Sequence, residues 1–239
     1  MSDAEALAGF IGKWRERWPE WRVAEVFVPA QARAASVAWF ALQQELVEAA
    51  WGGSDPRPGE AKLGWWAEEL QGWSQGRRRH PLGIVLQRVP APWLMLAASL
   101  PVLAASREAS GSREQARAAL APVAQAIAGI DAVVFDGPAH SEVAGEVLLA
   151  IHLLLLGDAA APLQVRARTG DAIAEEGVAR AWAADLSLAW TATNGGPRPL
   201  RIRSALLHER LRRFAAGDPR MQPVPPLTTL WLAWRAARG

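Results

Sequence analysis

Clusters of proline and glycine divide this chain into segments of helix length, and this division constrains the fold more than any other feature. The densest cluster is GGSDPRPG at residues 52–59, which separates two largely apolar segments. Between the clusters alanine and leucine dominate and β-branched residues are sparse, a balance that favours helix. No stretch alternates polar and apolar residues over several positions, as a half-buried strand would. We therefore expect an all-α protein.

The breaks predict where the helices lie. Pro81 should open one short helix, because proline suits a first helical turn. A helix after His140 is apolar nearly all round, which is typical of a buried helix. We see no internal repeat and no linker, so we expect residues 1–239 to form a single-domain helical bundle. The other predicted helices cover 4–18, 30–51, 60–74, 113–130, 171–193, 201–216 and 226–238, with breaks at GIDAVVFDGP (129–138) and at Asn194-Gly195-Gly196-Pro197.

Composition excludes several classes of function. The chain has no cysteine, so it has no disulfide, no thiolate nucleophile and no Cys-ligated metal site. The formal net charge is +2 and no basic stripe is interleaved with aromatic residues, so we expect no nucleic-acid partner. The acidic start of the chain lacks the basic region of a signal peptide, which favours a cytoplasmic location.

One apolar run leaves membrane association open. Residues 89–106 carry no charge over 18 residues, the lower edge of the length that a membrane span needs. Three prolines interrupt the run, Pro90, Pro92 and Pro101, and they favour a buried helix with a flanking loop over insertion into a bilayer.

Two glutamates three residues apart, Glu45 and Glu48, lie in the predicted helix 30–51 with Gln44 beside them. Carboxylates at this spacing lie on one side of a helix. They could hold Mg²⁺, which prefers oxygen ligands, provided that a second acidic set faces them. The alternative is a solvated flank, because glutamate is a good exposed helix former.

The segment 61–87 has a distinctive pattern, which consists of Leu63, Trp65, Trp66, Glu69 and Leu70 followed by a short loop that ends in His80-Pro81. It resembles the squalene/phytoene synthase family, in which a Leu-x-Trp-Trp-x-x-Glu-Leu stretch precedes a His-Pro loop. Segments 28–50, 144–157 and 181–204 resemble, in order, the family's first Asp-rich helix, its Ala-Gly helix and the region of its second Asp-rich motif. The resemblance spans most of the chain.

The resemblance implies an isoprenoid-synthase-like bundle around a central cavity. Active members join two prenyl diphosphates, and two facing Asp-rich motifs hold the Mg²⁺ that helps diphosphate leave. This chain departs from that pattern. Gln44-Glu45-Leu46-Val47-Glu48 stands where Asp-Asp-x-x-Asp is usual, and no carboxylate lies between Asp185 and Glu209. Asp185 itself comes too early for the second motif.

These departures lead to three hypotheses. The first is a protein that has lost Mg-dependent prenyl transfer and acts as a non-catalytic binding or assembly protein, with an isoprenoid diphosphate, a lipid or a protein as its partner and no cofactor. The second is a diverged prenyl transferase that uses Glu45 and Glu48 for a metal, with Mg²⁺ as its cofactor. The third is a peripheral membrane or complex subunit built around the apolar run and the arginine-rich C-terminal region.

Two basic groups are candidates for anion binding. Arg77, Arg78 and Arg79, together with Gln44, are the candidate ligand-binding residues, although a short charge run usually faces water. A second group follows residue 197 and is expected to form either a partner or membrane-surface face or an ordinary exposed helix face. It consists of Arg198, Arg201, Arg203, Arg210, Arg212 and Arg213.

Overall fold

The protein is built from α-helices in the computed structural model, which describes residues 2–170, 176–190 and 196–239. These ranges contain no β-strand. Two short 3₁₀ turns, Glu25–Phe27 and Gly157–Ala160, extend α2 and α8. The helices are α1 Asp3–Arg17, α2 Trp21–Ala24, α3 Ala30–Trp51, α4 Arg57–Ser74, α5 Gly83–Leu86, α6 Trp93–Ala105, α7 Arg113–Val134, α8 Ser141–Leu156, α9 Leu163–Thr169, α10 Gly177–Leu188, α11 Arg198–Ala215 and α12 Pro226–Arg238.

The prediction of an all-α helical bundle is confirmed, and proline and capping residues account for several of the boundaries. The helices predicted at 30–51 and 226–238 have those bounds in the structure, and each follows a proline. The first helix begins with a capping box, in which the Ser2 hydroxyl accepts from the Glu5 backbone N–H and the Glu5 carboxylate accepts from that of Ser2. It ends at Arg17, just before Pro19.

The predicted break at 129–138 is wrong in its first half. Helix α7 continues to Val134, and the chain turns only at Asp136, whose φ is 50°. Gly129 stays helical where α7 approaches a loop closely, because a Cβ built there would lie 3.3 Å from the Cγ of Pro92. A glycine in this helix therefore permits close packing and does not mark a break.

Short and late elements were predicted less well. Helices α2 and α9 were not predicted, and the predicted helix 171–193 corresponds to the shorter α10. Residues 171–175 and 191–195 lie outside the described residues, and with them the first half of the predicted Asn194-Gly195-Gly196-Pro197 break. The helix expected from Pro81 is the short α5.

The apolar run 89–106 forms a helix of 13 residues, α6, which is shorter than the ~20 residues of a membrane span. Two other helical stretches, Arg113–Val134 and Ser141–Ala160, are long and apolar enough to cross a membrane by length and composition alone. Most of the second is buried in the bundle, and because core helices pass the same test, this is weak support for a span.

Helix α3 lies at the centre of the bundle. It is buried over most of its circumference and packs against α1, α4, α5, α6 and α8. Around it, α4 packs on α6, α6 on α7, and α7 on α8, while α10, α11 and α12 pack in succession. Buried side chains from α1 through α12 form one hydrophobic cluster. This arrangement places the Glu45–Glu48 flank of α3 against α1 and α4.

Candidate functional site

The acidic pair of α3 lies in a narrow groove beneath α1. The groove has a volume of about 150 Å³. Both glutamate side chains are about one-fifth exposed, at 22% each. The α3 side of the groove is formed by Ala41, Gln44, Glu45 and Glu48, and the α1 side by Phe10, Lys13, Trp14 and Arg17.

Each carboxylate of the pair already has a basic partner. Lys62 Nζ of α4 lies 2.5 Å from Glu45 Oε2, and Arg17 Nη1 of α1 lies 3.4 Å from Glu48 Oε1. Gln44 Nε2 also donates to Glu48 Oε1 at 2.9 Å. The Gln44 carbonyl oxygen in turn accepts from Trp18 Nε1 at 3.0 Å. Gln44 therefore connects Trp18, the residue after α1, to Glu48 through hydrogen bonds.

The wall that faces the glutamates is basic. Lys13 and Arg17 line it, whereas a metal cluster would need further carboxylates there. No group of three or more His, Asp or Glu side chains suited to a metal ion occurs within residues 2–170, 176–190 and 196–239. The predicted remnant motif, Glu45 and Glu48, therefore does not fit Mg²⁺, because the local charges are already balanced.

Asp185, the last carboxylate before Glu209, lies away from the acidic pair. Asp185 of α10 accepts from Arg168 Nη2 of α9 at 2.6 Å. It lines a separate groove with Arg113 and Glu114 of α7. The structure thus places Asp185 and Glu45 in different grooves.

The three candidate arginines of the 77–79 loop do not converge on one point. Arg77 donates to Gln75, Arg78 donates to Asp3 Oδ2 at 2.8 Å, and Arg79 lies 3.1 Å from Glu69 Oε2 and 3.3 Å from Glu68 Oε2. A phosphate group needs several donors aimed at the same place. The loop instead distributes its charges among neighbouring side chains.

The Trp-Trp/His-Pro segment forms a connected structural unit around Glu69. This buried carboxylate accepts from Trp73 Nε1 and from the backbone N–H groups of Arg79 and His80, each at 2.8 Å. Burial raises the pKa of Glu69, but these hydrogen bonds outweigh burial and lower it overall. Burial lowers the pKa of His80, whose ring packs edge-on against Phe10 at 4.7 Å. These motif residues hold the turn that leads into α5.

A polar pocket lies between α3, α7, α8 and α11, and sequence analysis did not identify it. Trp39 Nε1 donates to Asp131 Oδ1 at 2.6 Å, and Arg203 Nη1 donates to Gln43 Oε1 at 2.6 Å. The guanidinium also lies over the Phe40 ring at 4.7 Å. The Nε2 of Gln43 is buried and has no hydrogen-bond partner among the described residues.

Burial and charge shift the pKa values of two residues that line this pocket, Asp131 and Arg203. Burial raises the pKa of Asp131 to about 6, against the opposing effects of the Trp39 hydrogen bond and the Arg203 charge. Burial also lowers the pKa of Arg203 to about 10, against the opposing effect of Asp131. Asp131 thus takes up a proton near pH 6, which is unusual for an aspartate.

The pocket is small. Its volume is about 30 Å³, room for roughly two water molecules. A much larger groove measures about 530 Å³ and lies on the surface, between α4 and α6. Its lining is mostly small and apolar, with three charged residues, Glu60, Arg107 and Glu108. Arg107 already donates to the carbonyl oxygens of Ala50 and Gly52. The larger groove is therefore mostly apolar, and the polar pocket is too small for a large ligand.

Two signals could have indicated the polar pocket. Asp131 follows Ile127 by four residues and so lies on the apolar stripe of α7, where an acid needs a partner. Arg203 lies between the buried Ile202 and Ser204, in a basic group for which a partner or membrane surface and an exposed helix face were the two alternatives. The exposed-face alternative is wrong for Arg210 also, which is 2% exposed.

No family model matches the chain, and neither does any curated protein. The functional interpretation therefore depends on the contacts described above.

Proposed function

We propose that the protein is a squalene/phytoene synthase-like helical protein that has lost Mg-dependent prenyl transfer and acts as a non-catalytic binding or assembly protein in the cytoplasm. One observation carries this proposal: Glu45 and Glu48 are paired with Lys62 and Arg17 of their own chain. The family resemblance of segment 61–87 and the helical bundle support the structural half of the proposal.

The physical reason concerns the leaving group. Diphosphate departs only when metal ions or basic groups neutralise its developing charge. A Mg²⁺ ion at Glu45 and Glu48 would have to displace the side chains of Arg17 and Lys62. It would then lie close to Lys13 as well. Electrostatics therefore opposes a metal in this groove.

The small size of the polar pocket also supports the loss of prenyl transfer. A prenyl chain is far larger than the pocket of about 30 Å³ between α3, α7, α8 and α11. This pocket therefore has no room for two isoprenoid substrates.

The first experiment measures diphosphate release from farnesyl and geranylgeranyl diphosphate with Mg²⁺ or Mn²⁺. We expect the wild type and Glu48→Ala to show the same background rate, because neither has a metal site. Turnover by the wild type that Glu48→Ala abolishes would contradict the proposal and favour the diverged prenyl transferase.

The second experiment measures the melting temperature during titration with Mg²⁺. We expect no rise for the wild type, and a rise for the double variant Arg17→Ala/Lys62→Ala, because it uncovers the two carboxylates. The rise should be roughly 2–4 °C per kcal/mol of binding free energy. Arg57→Ala, which removes an exposed arginine of α4, is the control and should resemble the wild type. A rise in the wild type that Glu45→Gln/Glu48→Gln removes would indicate a working metal site.

A further inference from the structure

Helix α12 has two apolar faces, and only one of them packs on the bundle. Thr229, Leu232 and Ala233 are buried against the neighbouring elements α2 and α11. The opposite side exposes four large apolar side chains within two helical turns. We call this surface the α12 outer face; its members are Leu227, Leu230, Trp231 and Trp234, which are 82%, 44%, 51% and 44% exposed.

Two arginines complete the outer face. The guanidinium of Arg235 lies over the Trp231 ring at 4.6 Å, and that of Arg238 lies over the Trp234 ring at 4.8 Å. Arg201 of α11 donates to the carbonyl oxygens of Ala236 and Ala237 and so holds the last turn against the bundle. The outer face is therefore a supported aromatic and basic surface and not a frayed end.

The C-terminal part of the chain, which ends in α12, is strongly basic. Residues 186–239 contain nine arginines against two carboxylates, Glu209 and Asp218. Both carboxylates are already paired, with Arg212 at 2.7 Å and with Arg213 at 2.5 Å. Residues 219–239 contain no acidic residue, whereas residues 1–185 carry 17 basic and 22 acidic residues. The excess positive charge of the protein is thus concentrated in the part that carries the outer face.

We propose that the α12 outer face docks on the surface of an anionic lipid bilayer, with the helix axis in the plane of the interface. Tryptophan favours the interface between headgroups and acyl chains, and arginine beside it is attracted to lipid phosphates. The helix has 13 residues, or about 20 Å, which is too short to span a bilayer but suits a helix that lies flat on it. This docking role is independent of the proposed loss of prenyl transfer.

A bilayer fits this surface better than a second copy of the chain. Symmetric pairing of two outer faces would bring Arg235 and Arg238 of both copies to one interface, and no carboxylate of residues 219–239 could neutralise them. Anionic headgroups supply the missing negative charge over a broad area.

The test is flotation of the full chain with phosphatidylcholine vesicles that contain or lack phosphatidylglycerol. We expect the wild type to float with the anionic vesicles and to stay unbound with the neutral ones. Trp231→Gln/Trp234→Gln should weaken binding at least about tenfold, because it removes two apolar anchors. Arg235→Gln/Arg238→Gln should weaken it roughly twenty- to thirtyfold, since each charge near an anionic surface contributes about fivefold.

The control is Leu94→Gln/Met95→Gln, which removes two exposed apolar side chains from α6, 53% and 54% exposed, and should bind as the wild type does. Circular dichroism and thermal unfolding establish that each variant is folded. Failure of the wild type to float with anionic vesicles would overturn the proposal, as would equal loss of binding in the control. A dimer in sedimentation velocity that only Trp231→Gln/Trp234→Gln dissociates, without vesicle binding, would assign the face to a second copy instead.

Discussion

At the scale of single residues, Asp131 is held in an environment that disfavours its charge. It is 7% exposed on α7, and its pKa is raised to about 6 by burial. The folded state therefore holds a proton that the unfolded state has already released between its ordinary pKa of 3.8 and about 6. Since stability falls with rising pH wherever the native state binds more protons, Asp131 destabilises the protein as pH rises through this window.

His152 of α8 acts in the opposite direction. Its ring packs against Trp51 at 4.7 Å, and burial lowers its pKa from 6.5 to about 4. In this window the unfolded state binds the additional proton, so stability rises with pH. The contributions of Asp131 and His152 to stability largely cancel between about pH 4 and pH 6. The pH profile of wild-type stability therefore shows neither contribution by itself.

Asp131→Asn should reveal this balance. We expect its free energy of unfolding to rise from pH 4 to pH 6 relative to the wild type, by up to ~3 kcal/mol, because only the His152 contribution remains. Urea unfolding at several pH values measures this difference. Asp136→Asn, at an exposed aspartate in the turn after the same helix, is the control and should follow the wild-type profile. Parallel profiles for Asp131→Asn and the wild type would show that Asp131 is not a buried acid.

At the scale of elements, a buried ion pair joins both ends of the chain. Arg210 of α11 donates to Glu20 through Nε at 2.7 Å and through Nη2 at 2.6 Å, and both side chains are almost fully buried. Glu20 Oε1 also accepts from the Val224 backbone N–H at 2.9 Å, and the guanidinium lies 3.8 Å over the Trp18 ring. The pair therefore fixes the start of α2, the middle of α11 and the approach to α12.

Glu20→Ala should destabilise the protein by ~3–5 kcal/mol, because it leaves a buried arginine without its counter-charge. The exposed Glu16→Ala on α1 is the matched control, and we expect it to cost less than ~0.5 kcal/mol. Denaturant unfolding measures both. Glu20→Leu/Arg210→Met should recover part of the loss, since replacement of a whole buried pair by apolar residues is often tolerated. Equal stability of the two single variants would contradict this role.

Replacement of two glycines of α4 by alanine should have opposite effects on stability. A Cβ built on Gly59 would overlap the carbonyl oxygen of Ala49, where α4 approaches the end of α3, whereas one on Gly64 meets nothing within 4 Å. We expect Gly59→Ala to lower the free energy of unfolding by ~1–3 kcal/mol through overpacking. Gly64→Ala should raise it by up to ~1 kcal/mol, because alanine is the better helix former. Thermal unfolding measures both, and a tolerated Gly59→Ala would show that the two helices can separate.

At the scale of the whole molecule, charge and apolar surface are unevenly distributed. The acidic majority of the chain surrounds α3, and the arginine-rich C-terminal part ends in the α12 outer face. The arginines of this C-terminal part lie in two different environments. Arg203 and Arg210 donate hydrogen bonds to Gln43 and Glu20 within the bundle, while Arg235 and Arg238 remain at the surface. Counting arginines along the sequence does not separate these two groups.

The amino-acid sequence by itself determined the helical class and several helix boundaries. Proline and glycine act locally, on the backbone of their own and adjacent residues, so their effect can be predicted without a fold. That is why Ala30–Trp51 and Pro226–Arg238 were predicted with both observed bounds, whereas several other helices differ from their predicted bounds by a few residues. Gly129 was misread as a break because its role is close packing against Pro92, a contact with a residue far away in the sequence.

The tertiary structure alone decided which charges meet. Sequence analysis could place Glu45 and Glu48 on one flank of α3, but the ion pairs with Lys62 and Arg17 depend on how α1 and α4 pack against that flank. The same holds for Asp131, Gln43 and Arg203, which come from three separate helices. Electrostatic energy depends on distance in space and on burial, and neither quantity is fixed by separation along the chain.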